Sequence, residues 1–326
     1  MAARALGTVV IVLALLTTPL SAQAPGASKV PRVGVIGERS ASDNFLAAFR
    51  QGLRELGYVE GQNIVVEYRY AQTALDRVPA LATELARLPV DVLVVGGTVS
   101  AQSARAAAPT IPIVFTTVGD PIGARLVGSL ARPGGTITGL SNFLPEMTGK
   151  QLEVLKAAVP QLSRVVVLYN PANPSADDIL RGAREAARTL GLELDLVGVR
   201  ARAEIAGAFS AMAARRAGAL LVVSDPVFGG SLAQISKLAI VHRLPAVYAR
   251  KEFAEAGGLF AYGPSFEANY RRAAEYVDKI LKGARPGDLP VEQPTTFDFV
   301  INAGTARTLA VTIPASLLLR ADRVIQ

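Results

Sequence analysis

Short apolar, β-branched runs alternate with amphipathic stretches along most of this chain. Residues 33–36 form such a run, and residues 44–56 then place Phe45, Phe49 and Leu53 on one helical face before Gly57 ends the pattern. The same alternation predicts further strands at 64–68, 91–95, 113–115 and 136–139, with helices at 75–88, 100–107 and 145–158. Alternating strands and helices are typical of parallel sheets covered on both faces by helices.

The pattern restarts in the second half of the chain. It predicts strands at 165–168, 192–197, 219–223 and 246–248, and helices at 176–190, 203–214 and 232–241. Two such series predict an α/β protein with two doubly wound parallel-sheet lobes. The remaining elements, a helix at 270–281, a strand at 297–301 and a terminal helix at 317–324, are too few for a third lobe. We therefore expect the chain to cross between the lobes more than once and to form a hinge.

The expected lobe boundaries follow from this placement. The N-terminal lobe comprises residues 30–142 plus about 262–293, and the C-terminal lobe comprises residues 143–261 plus about 294–326.

The first 24 residues have the order of a secretory signal peptide. Arg4 precedes an apolar run at 5–16, and small and polar residues follow up to Ala24, with cleavage expected after Ala22 or Ala24. The run is shorter than the roughly 20 residues that cross a bilayer. The chain has no cysteine, so it has no disulfide and no site for lipid attachment at an N-terminal Cys. We expect an exported protein without a membrane anchor, located in the periplasm.

Composition excludes several other classes of function. The net charge is +7, but the basic residues are scattered and not interleaved with aromatics, which argues against a nucleic-acid partner. With His242 as the single histidine and no cysteine, zinc sites of the His/Cys kind and Cys–His catalysis are excluded. The P-loop, the dinucleotide fingerprint and the hydrolase nucleophile motif are also missing. We expect no cofactor, no metal and no enzyme activity, although carboxylate-based catalysis stays open.

Polar residues gather where the predicted strands end. Ligands of open α/β sheets bind outside the carboxyl ends of the strands, so these loops predict a ligand site between the lobes. The candidate polar residues are Ser40, Ser42, Gly97, Thr98, Ser100, Thr116, Thr117, Asp120, Asn170, Asn173, Ser175 and Asp225. Helix N-termini among them offer N–H donors to an anionic group, and Asp120 and Asp225 suit a cationic one.

Aromatic residues near the same loops supply candidate apolar walls. These are Phe228, Tyr248 and Tyr262. Each candidate also has an ordinary structural role: Asp and Asn initiate turns, Ser and Thr cap helices, and aromatic side chains fill cores.

Six segments, in order and spacing, resemble the ABC transporter substrate-binding protein family that includes tryptophan/tyrosine-type binding proteins. They are FRQGLRELGYVEGQN at 49–63, IPIVFTTVGDPIGA at 111–124, PGGTITG at 133–139, VLYNP at 167–171, YVDKILKG at 276–283 and LPVEQP at 289–294. The resemblance implies the type I periplasmic binding fold. It also implies a receptor that closes on a small solute and delivers it to a membrane permease. We expect this receptor to be a monomer.

The resemblance leaves the ligand open. The loop ERSASD at 38–43 and the residues Pro226-Val-Phe after Asp225 depart from the amino-acid-binding members. An aromatic amino acid, a branched-chain amino acid and another small carboxylate are the alternatives. We expect Asp225 to pair with a ligand ammonium or hydroxyl, and Thr98, Ser100 and Thr117 with their N–H groups to receive a carboxylate. A ligand sensor for a signalling partner and an exported carboxylate-based enzyme are the rival functions.

Overall fold

The computed structural model describes residues 29–39, 44–142, 144–214 and 217–326. The predicted signal peptide, Ser40 and Ser42 lie outside the described residues. Residues 31–326 form one compact unit.

The first half of the chain builds a five-stranded sheet in the order β2-β1-β3-β4-β5, with every pair parallel. Its strands carry the apolar runs seen in the sequence, and β3 is buried along its whole length. The elements are β1 (Arg32–Gly37), α1 (Asn44–Glu55), β2 (Val65–Tyr70), α2 (Val78–Ala86), β3 (Val92–Val95), α3 (Thr98–Ala107), β4 (Ile113–Val118) and β5 (Ile137–Ser141). This sheet and the helices on its faces are the first lobe.

The second half builds a seven-stranded sheet in the order β12-β11-β10-β9-β8-β6-β7, in which only the β10–β11 pair is antiparallel. The elements up to α9 are α4 (Leu144–Ala158), β6 (Arg164–Tyr169), α5 (Ala176–Leu190), β7 (Glu193–Gly198), α6 (Ile205–Ala214), β8 (Ala219–Val222), α7 (Pro226–Gly229), α8 (Leu232–Val241), β9 (Ala246–Tyr248) and α9 (Lys251–Glu255). The remaining elements are β10 (Phe260–Pro264), α10 (Phe266–Leu281), β11 (Phe297–Asn302), α11 (Ala303–Thr308), α12 (Ala315–Leu318) and β12 (Arg323–Ile325). This sheet and its helices, α10 excepted, are the second lobe.

Three segments carry the chain between the lobes: from β5 to α4, from β10 to α10, and from α10 to β11. Helix α10 packs in the first lobe, where the Tyr270 ring lies 5.4 Å from the Phe45 ring of α1. The next strand, β11, returns to the second sheet. Two parallel-dominated sheets joined by several crossings match the predicted fold class of two lobes joined by a hinge.

The predicted terminal helix at 317–324 is wrong. Helix α12 ends at Leu318, and the chain then forms β12 beside β11. The side chain of Leu319 is 88 % exposed, so a helix here has no continuous apolar face to bury. Pairing with β11 satisfies the backbone instead, and Asp322 Oδ2 accepts a hydrogen bond from Phe299 N just before the strand.

None of the helices in the described part of the chain has the length and apolar character needed to span a bilayer.

Candidate ligand-binding site

A cavity of about 60 Å³ lies between the two lobes, at the carboxyl ends of strands from both sheets. The first lobe lines it with Glu38, Arg39, Phe45, Leu75, Gly97, Thr98, Val99, Thr117, Gly119, Asn142, Phe266 and Tyr270. The second lobe lines it with Asn173, Ser175, Ser224, Asp225, Pro226 and Arg250. Polar loops that follow β1, β3, β4, β6 and β8 therefore converge on one place, as expected for ligand sites of open α/β sheets.

Asp225 supplies a buried carboxylate from the second lobe. Its Oδ1 accepts hydrogen bonds from Asn170 Nδ2 at 3.2 Å and from Val227 N at 2.9 Å, and its Oδ2 accepts from Asn173 Nδ2 at 3.0 Å. Burial raises the pKa of Asp225, and these hydrogen bonds act in the opposite direction. The carboxylate is held rigidly and gains most from a cationic partner, because removal from water disfavours its charge.

The N-terminus of α3 supplies hydrogen-bond donors from the first lobe. Gly97 N donates to Glu38 Oε1 at 2.9 Å, and Ser100 Oγ donates to the same oxygen at 2.7 Å. Thr98 and Val99 form the first turn and face the cavity. Since backbone N–H groups in a first turn have no acceptor within the helix, they are available to an anionic group in the cavity.

Asn142 lines the same cavity and has an unpaired acceptor. Its Nδ2 donates to Thr117 O at 2.9 Å, whereas its buried Oδ1 has no hydrogen-bond partner among the described residues. The side chain lines the cavity although the residue is only 3 % exposed. A buried amide oxygen without a partner costs free energy, so a ligand donor placed there is favoured.

Aromatic rings of the first lobe form the apolar part of the wall. The Phe45 ring lies 5.4 Å from the Tyr270 ring, in a stacked arrangement, and 5.5 Å from the tilted Phe266 ring. The guanidinium of Arg250 lies 4.6 Å from the Phe45 centroid. We call Phe45, Phe266 and Tyr270 the aromatic cluster.

The lobes touch each other around the cavity, so the structure is closed. Thr98 Oγ1 and Ser175 Oγ lie 3.0 Å apart across the cleft. A Cβ placed on Gly230 would come within 2.5 Å of Thr73 Cγ2 from the first lobe. At a third position, a Cβ on Gly123 would come within 2.3 Å of Asp178 Oδ2 from the second lobe.

Six of the residues predicted from sequence line the cavity: Gly97, Thr98, Thr117, Asn173, Ser175 and Asp225. Two other predicted residues donate hydrogen bonds to carboxylates that line the cavity: Ser100 to Glu38, and Asn170 to Asp225. Thr116 is buried and donates to Val95 O at 3.3 Å.

Asp120 lies in a turn outside the cavity wall. Its Oδ1 accepts hydrogen bonds from Ile122 N at 3.0 Å and Gly123 N at 2.8 Å. This is the ordinary role of an Asp that precedes a proline turn.

The three predicted aromatic walls lie in the core of the second lobe. Phe228 is fully buried there, Tyr248 stacks on Phe253 at 4.4 Å, and Tyr262 packs edge-on against Phe299 at 5.5 Å. Sequence reasoning missed the aromatic cluster and Arg250. Phe45 and Tyr270 appear in the sequence as members of core-facing helical stripes. Arg250 is the second residue after the strand β9, where the strand-end rule would have found it.

Within the described ranges, no three His, Cys, Asp or Glu side chains are grouped as a metal site requires.

Comparison with known proteins identifies the family. The sequence profile described as ABC transporter substrate binding protein matches residues 32–325. A tyrosine-binding protein of Clostridioides difficile (strain R20291) is 28 % identical over 272 residues, which cover 83 % of this chain and 78 % of that protein.

Two solved structures show the same fold in different states. A Streptococcus pneumonia domain in complex with L-Trp is 27 % identical with a TM-score of 0.83, and it is matched over 90 % of this chain and 100 % of its own. A ligand-free, open substrate-binding protein with adhesive properties from Clostridium difficile is 25 % identical with a TM-score of 0.66, over 91 % of this chain and 100 % of its own. Since the identities are nearly equal, the higher score indicates lobes placed as in the L-Trp complex.

Proteins of this family bind small-molecule solutes, work with ABC permeases and are typically extracellular or periplasmic; they are not enzymes. The profile covers nearly all of the compact unit, and the cleft between the lobes has the position and chemistry of a solute site. The chain therefore belongs to the ABC transporter substrate-binding protein family.

Proposed function

We propose that this protein is the solute-binding component of an ABC importer and that its ligand is an α-amino acid with an aromatic side chain. One observation carries the proposal: the buried Asp225 carboxylate and the N-terminus of α3 come from opposite lobes and face one cavity. An α-amino acid carries a cation and an anion on one carbon, so it can bind both lobes at once.

The charges of the wall support a zwitterionic ligand. Acidic and basic side chains, Glu38 and Asp225 beside Arg39 and Arg250, line the same cavity, so the wall can accept a ligand that carries both a cation and an anion. The ligand ammonium binds Asp225 and Asn142 Oδ1. The ligand carboxylate binds the N–H groups of Thr98 and Val99, because Glu38 already accepts from Gly97 N.

The aromatic cluster supports an aromatic side chain. Phe45, Phe266 and Tyr270 line the cavity beside the polar groups, and aromatic pairs add about 0.5–1.5 kcal/mol beyond the burial of their surface. The relatives support the same ligand class, since one is a tyrosine-binding protein and another was solved with L-Trp.

Closure of the lobes is the mechanism. A ligand that touches Asp225 and α3 together interacts fully only with the closed form, and it shifts the population of the protein toward that form by its differential affinity. The permease then recognises the closed form of the receptor. The signal-peptide pattern at 1–24 supports export of the receptor to the periplasm.

A ligand screen tests the proposal. The mature protein is unfolded and refolded to strip any carried solute, and its melting temperature is measured with aromatic and branched-chain amino acids, small carboxylates, sugars and polyamines. A ligand at 100 times its Kd adds about 2.7 kcal/mol to the free energy of unfolding. We expect a shift confined to amino acids and largest for the aromatic ones.

Asp225→Asn tests the role of the buried carboxylate. Calorimetric titration of this variant should show affinity for the amino acid lowered at least 30-fold, because the ammonium loses its charged partner. Asp177→Asn, an exposed carboxylate of α5 outside the cavity, is the matched control and should bind as the wild type does. Wild-type affinity in Asp225→Asn, or a shift given only by a sugar or a polyamine, contradicts the proposal.

A further inference from the structure

Arg250 extends from the second lobe and ends against the aromatic rings of the first. It lies at the junction of β9 and α9, and it is 7 % exposed. Its guanidinium carbon lies 4.6 Å from the centroid of Phe45 and 5.7 Å from that of Phe266. Both distances lie within the range of cation–π interactions.

The two rings are fixed parts of the first lobe. Phe45 lies in the first turn of α1 and Phe266 in the first turn of α10, and Phe45 is also stacked on Tyr270. Arg250 also has a countercharge in its own lobe, since its Nε is 3.3 Å from Glu252 Oε2. The ion pair with Glu252 therefore does not depend on closure, whereas the contact with the aromatic rings exists only while the lobes are together.

A glycine makes room for this arrangement. A Cβ on Gly229, in α7, would lie 2.5 Å from Arg250 Nη1. Any larger residue there displaces the guanidinium, so the backbone of α7 and the ring of Phe45 confine it from two sides.

We propose that Arg250 is an interlobe latch: a residue that stabilises the closed form through the rings of Phe45 and Phe266, with or without a ligand in the cavity. The latch raises the fraction of closed molecules before ligand binds and slows opening afterwards. Because apparent affinity scales with the population of the binding-competent form, it also sets how tightly the receptor holds its ligand. Arg250 thus acts on the ligand as a positioning residue as well as forming part of the wall.

The population of the closed form can be measured without a ligand. The chain has no cysteine, so Thr83→Cys in α2 and Thr189→Cys in α5 place one spin label on an exposed position of each lobe. Pulsed electron paramagnetic resonance then gives the distribution of distances between the lobes in refolded, ligand-free protein. We expect both a closed and an open population in the wild type.

Two substitutions remove the latch from opposite sides. Arg250→Met keeps an unbranched apolar side chain and removes the cation, and Phe45→Leu removes the ring and leaves the pair with Glu252 intact. Each should raise the ratio of open to closed molecules about fivefold, as expected for a partly buried cation–π contact. In the Phe45→Leu background, Arg250→Met should open the lobes less than it does in the wild type, since the contact with Phe45 is already lost. Arg250→Lys, which keeps the charge, should restore part of the closed population.

The control is Arg323→Gln. Arg323 pairs with Glu255 of α9 at 2.8 Å, so this variant removes an arginine ion pair that lies wholly within the second lobe. Its distance distribution should match that of the wild type. If Arg250→Met fails to fold, Phe45→Leu and Phe266→Leu provide the same test from the first lobe.

Three outcomes overturn the proposal: unchanged distance distributions in Arg250→Met and Phe45→Leu, additive opening in the double variant, or a wild type that is entirely open without ligand. None of these measurements uses a ligand. A wrong assignment of the amino acid would therefore leave the test of the latch intact.

Discussion

The hydroxyls of Thr98 and Ser175 meet across the cleft with their oxygens 3.0 Å apart, and both residues are almost fully buried. Thr98 begins α3 in the first lobe, and Ser175 precedes the first residue of α5 in the second. The N-terminal ends of two helices from opposite lobes are therefore joined by one hydrogen bond inside the ligand cavity.

Ser175→Ala tests this hydrogen bond. The variant loses a contact that exists only in the closed form, so ligand affinity should fall about threefold to tenfold, mainly through faster dissociation. Stopped-flow kinetics separates the two rate constants. Ser210→Ala removes an exposed hydroxyl that bonds within its own helix, and it should leave both rates unchanged. A loss confined to the association rate would contradict this explanation.

Acidification should weaken the binding of an amino acid. Burial raises the pKa of Asp225 in the free protein, and a bound ammonium lowers that pKa because it favours the charged carboxylate. As the pH falls through the raised pKa, the carboxylate takes up a proton and the ligand loses its partner. Calorimetric titrations from pH 8 to pH 4 should show falling affinity in the wild type and a flatter profile in Asp225→Asn. A flat wild-type profile would show that Asp225 does not hold the ammonium.

The raised pKa of Asp225 gives the stability of the ligand-free protein the opposite pH dependence, so that acidification favours the folded state. The folded chain holds the proton of Asp225 more tightly than the unfolded chain, whose carboxyl has the ordinary pKa of 3.8. The contribution of Asp225 to the free energy of unfolding is therefore largest at low pH and falls as the pH rises through the raised value. Urea denaturation of wild type and Asp225→Asn across this range isolates that contribution as the difference between the two curves.

Gly139→Ala should destabilise the first lobe strongly. Gly139 in β5 has φ +148°, and a Cβ there would lie 1.9 Å from Phe115 O of the neighbouring strand. Relief of that clash requires a backbone shift between β4 and β5, so we expect a loss of about 3 kcal/mol or more in urea denaturation. A Cβ on Gly207 in α6 would meet open space. Gly207→Ala should therefore raise the free energy of unfolding by about 0.5–1 kcal/mol, because alanine has the higher helix propensity.

Asn302→Ala should destabilise the second lobe near its C-terminal elements. Asn302 Oδ1 accepts from Thr305 N at 2.9 Å at the start of α11, and its Nδ2 donates to Ala254 O at 3.0 Å. Loss of the cap and of a buried hydrogen bond should cost about 2–3 kcal/mol. Asn302→Ser keeps a capping oxygen, so its loss in the free energy of unfolding should be roughly half that of Asn302→Ala. Equal stability of the two variants would show that the cap does not contribute.

Much of the polar half of the site could be predicted from the sequence. The strand-end rule identified Gly97, Thr98, Ser175 and Asp225. These residues lie in loops that follow buried parallel strands, and such loops meet at the edge of the sheet where ligands bind. The rule also named Asp120, whose carboxylate serves a local turn instead. Local hydrogen bonding competes with a site role, and sequence spacing alone does not separate the two.

The apolar half could not be predicted, because its residues come from helices that also pack the core. Phe45 and Tyr270 share helical stripes with fully buried residues such as Phe49 and Ala273. The periodicity of the sequence therefore does not distinguish a residue of the cavity wall from a residue of the core. Only the docking of α10 onto α1 brings Phe45 and Tyr270 to the cavity. The terminal strand β12 was missed for a related reason, since its pairing with β11 is a contact between distant parts of the chain.

The return of α10 to the first lobe determines when that lobe can be completed during synthesis. Helix α1 is made early, but its packing partner begins only at residue 266, after most of the second sheet. The second sheet in turn waits for β11 and β12 at residues 297–325. Because a chain emerges from its N-terminus, neither core is complete until almost the whole polypeptide has been released. The nascent protein thus stays without a finished lobe until α10 has been made, and the second lobe is finished last, with β12.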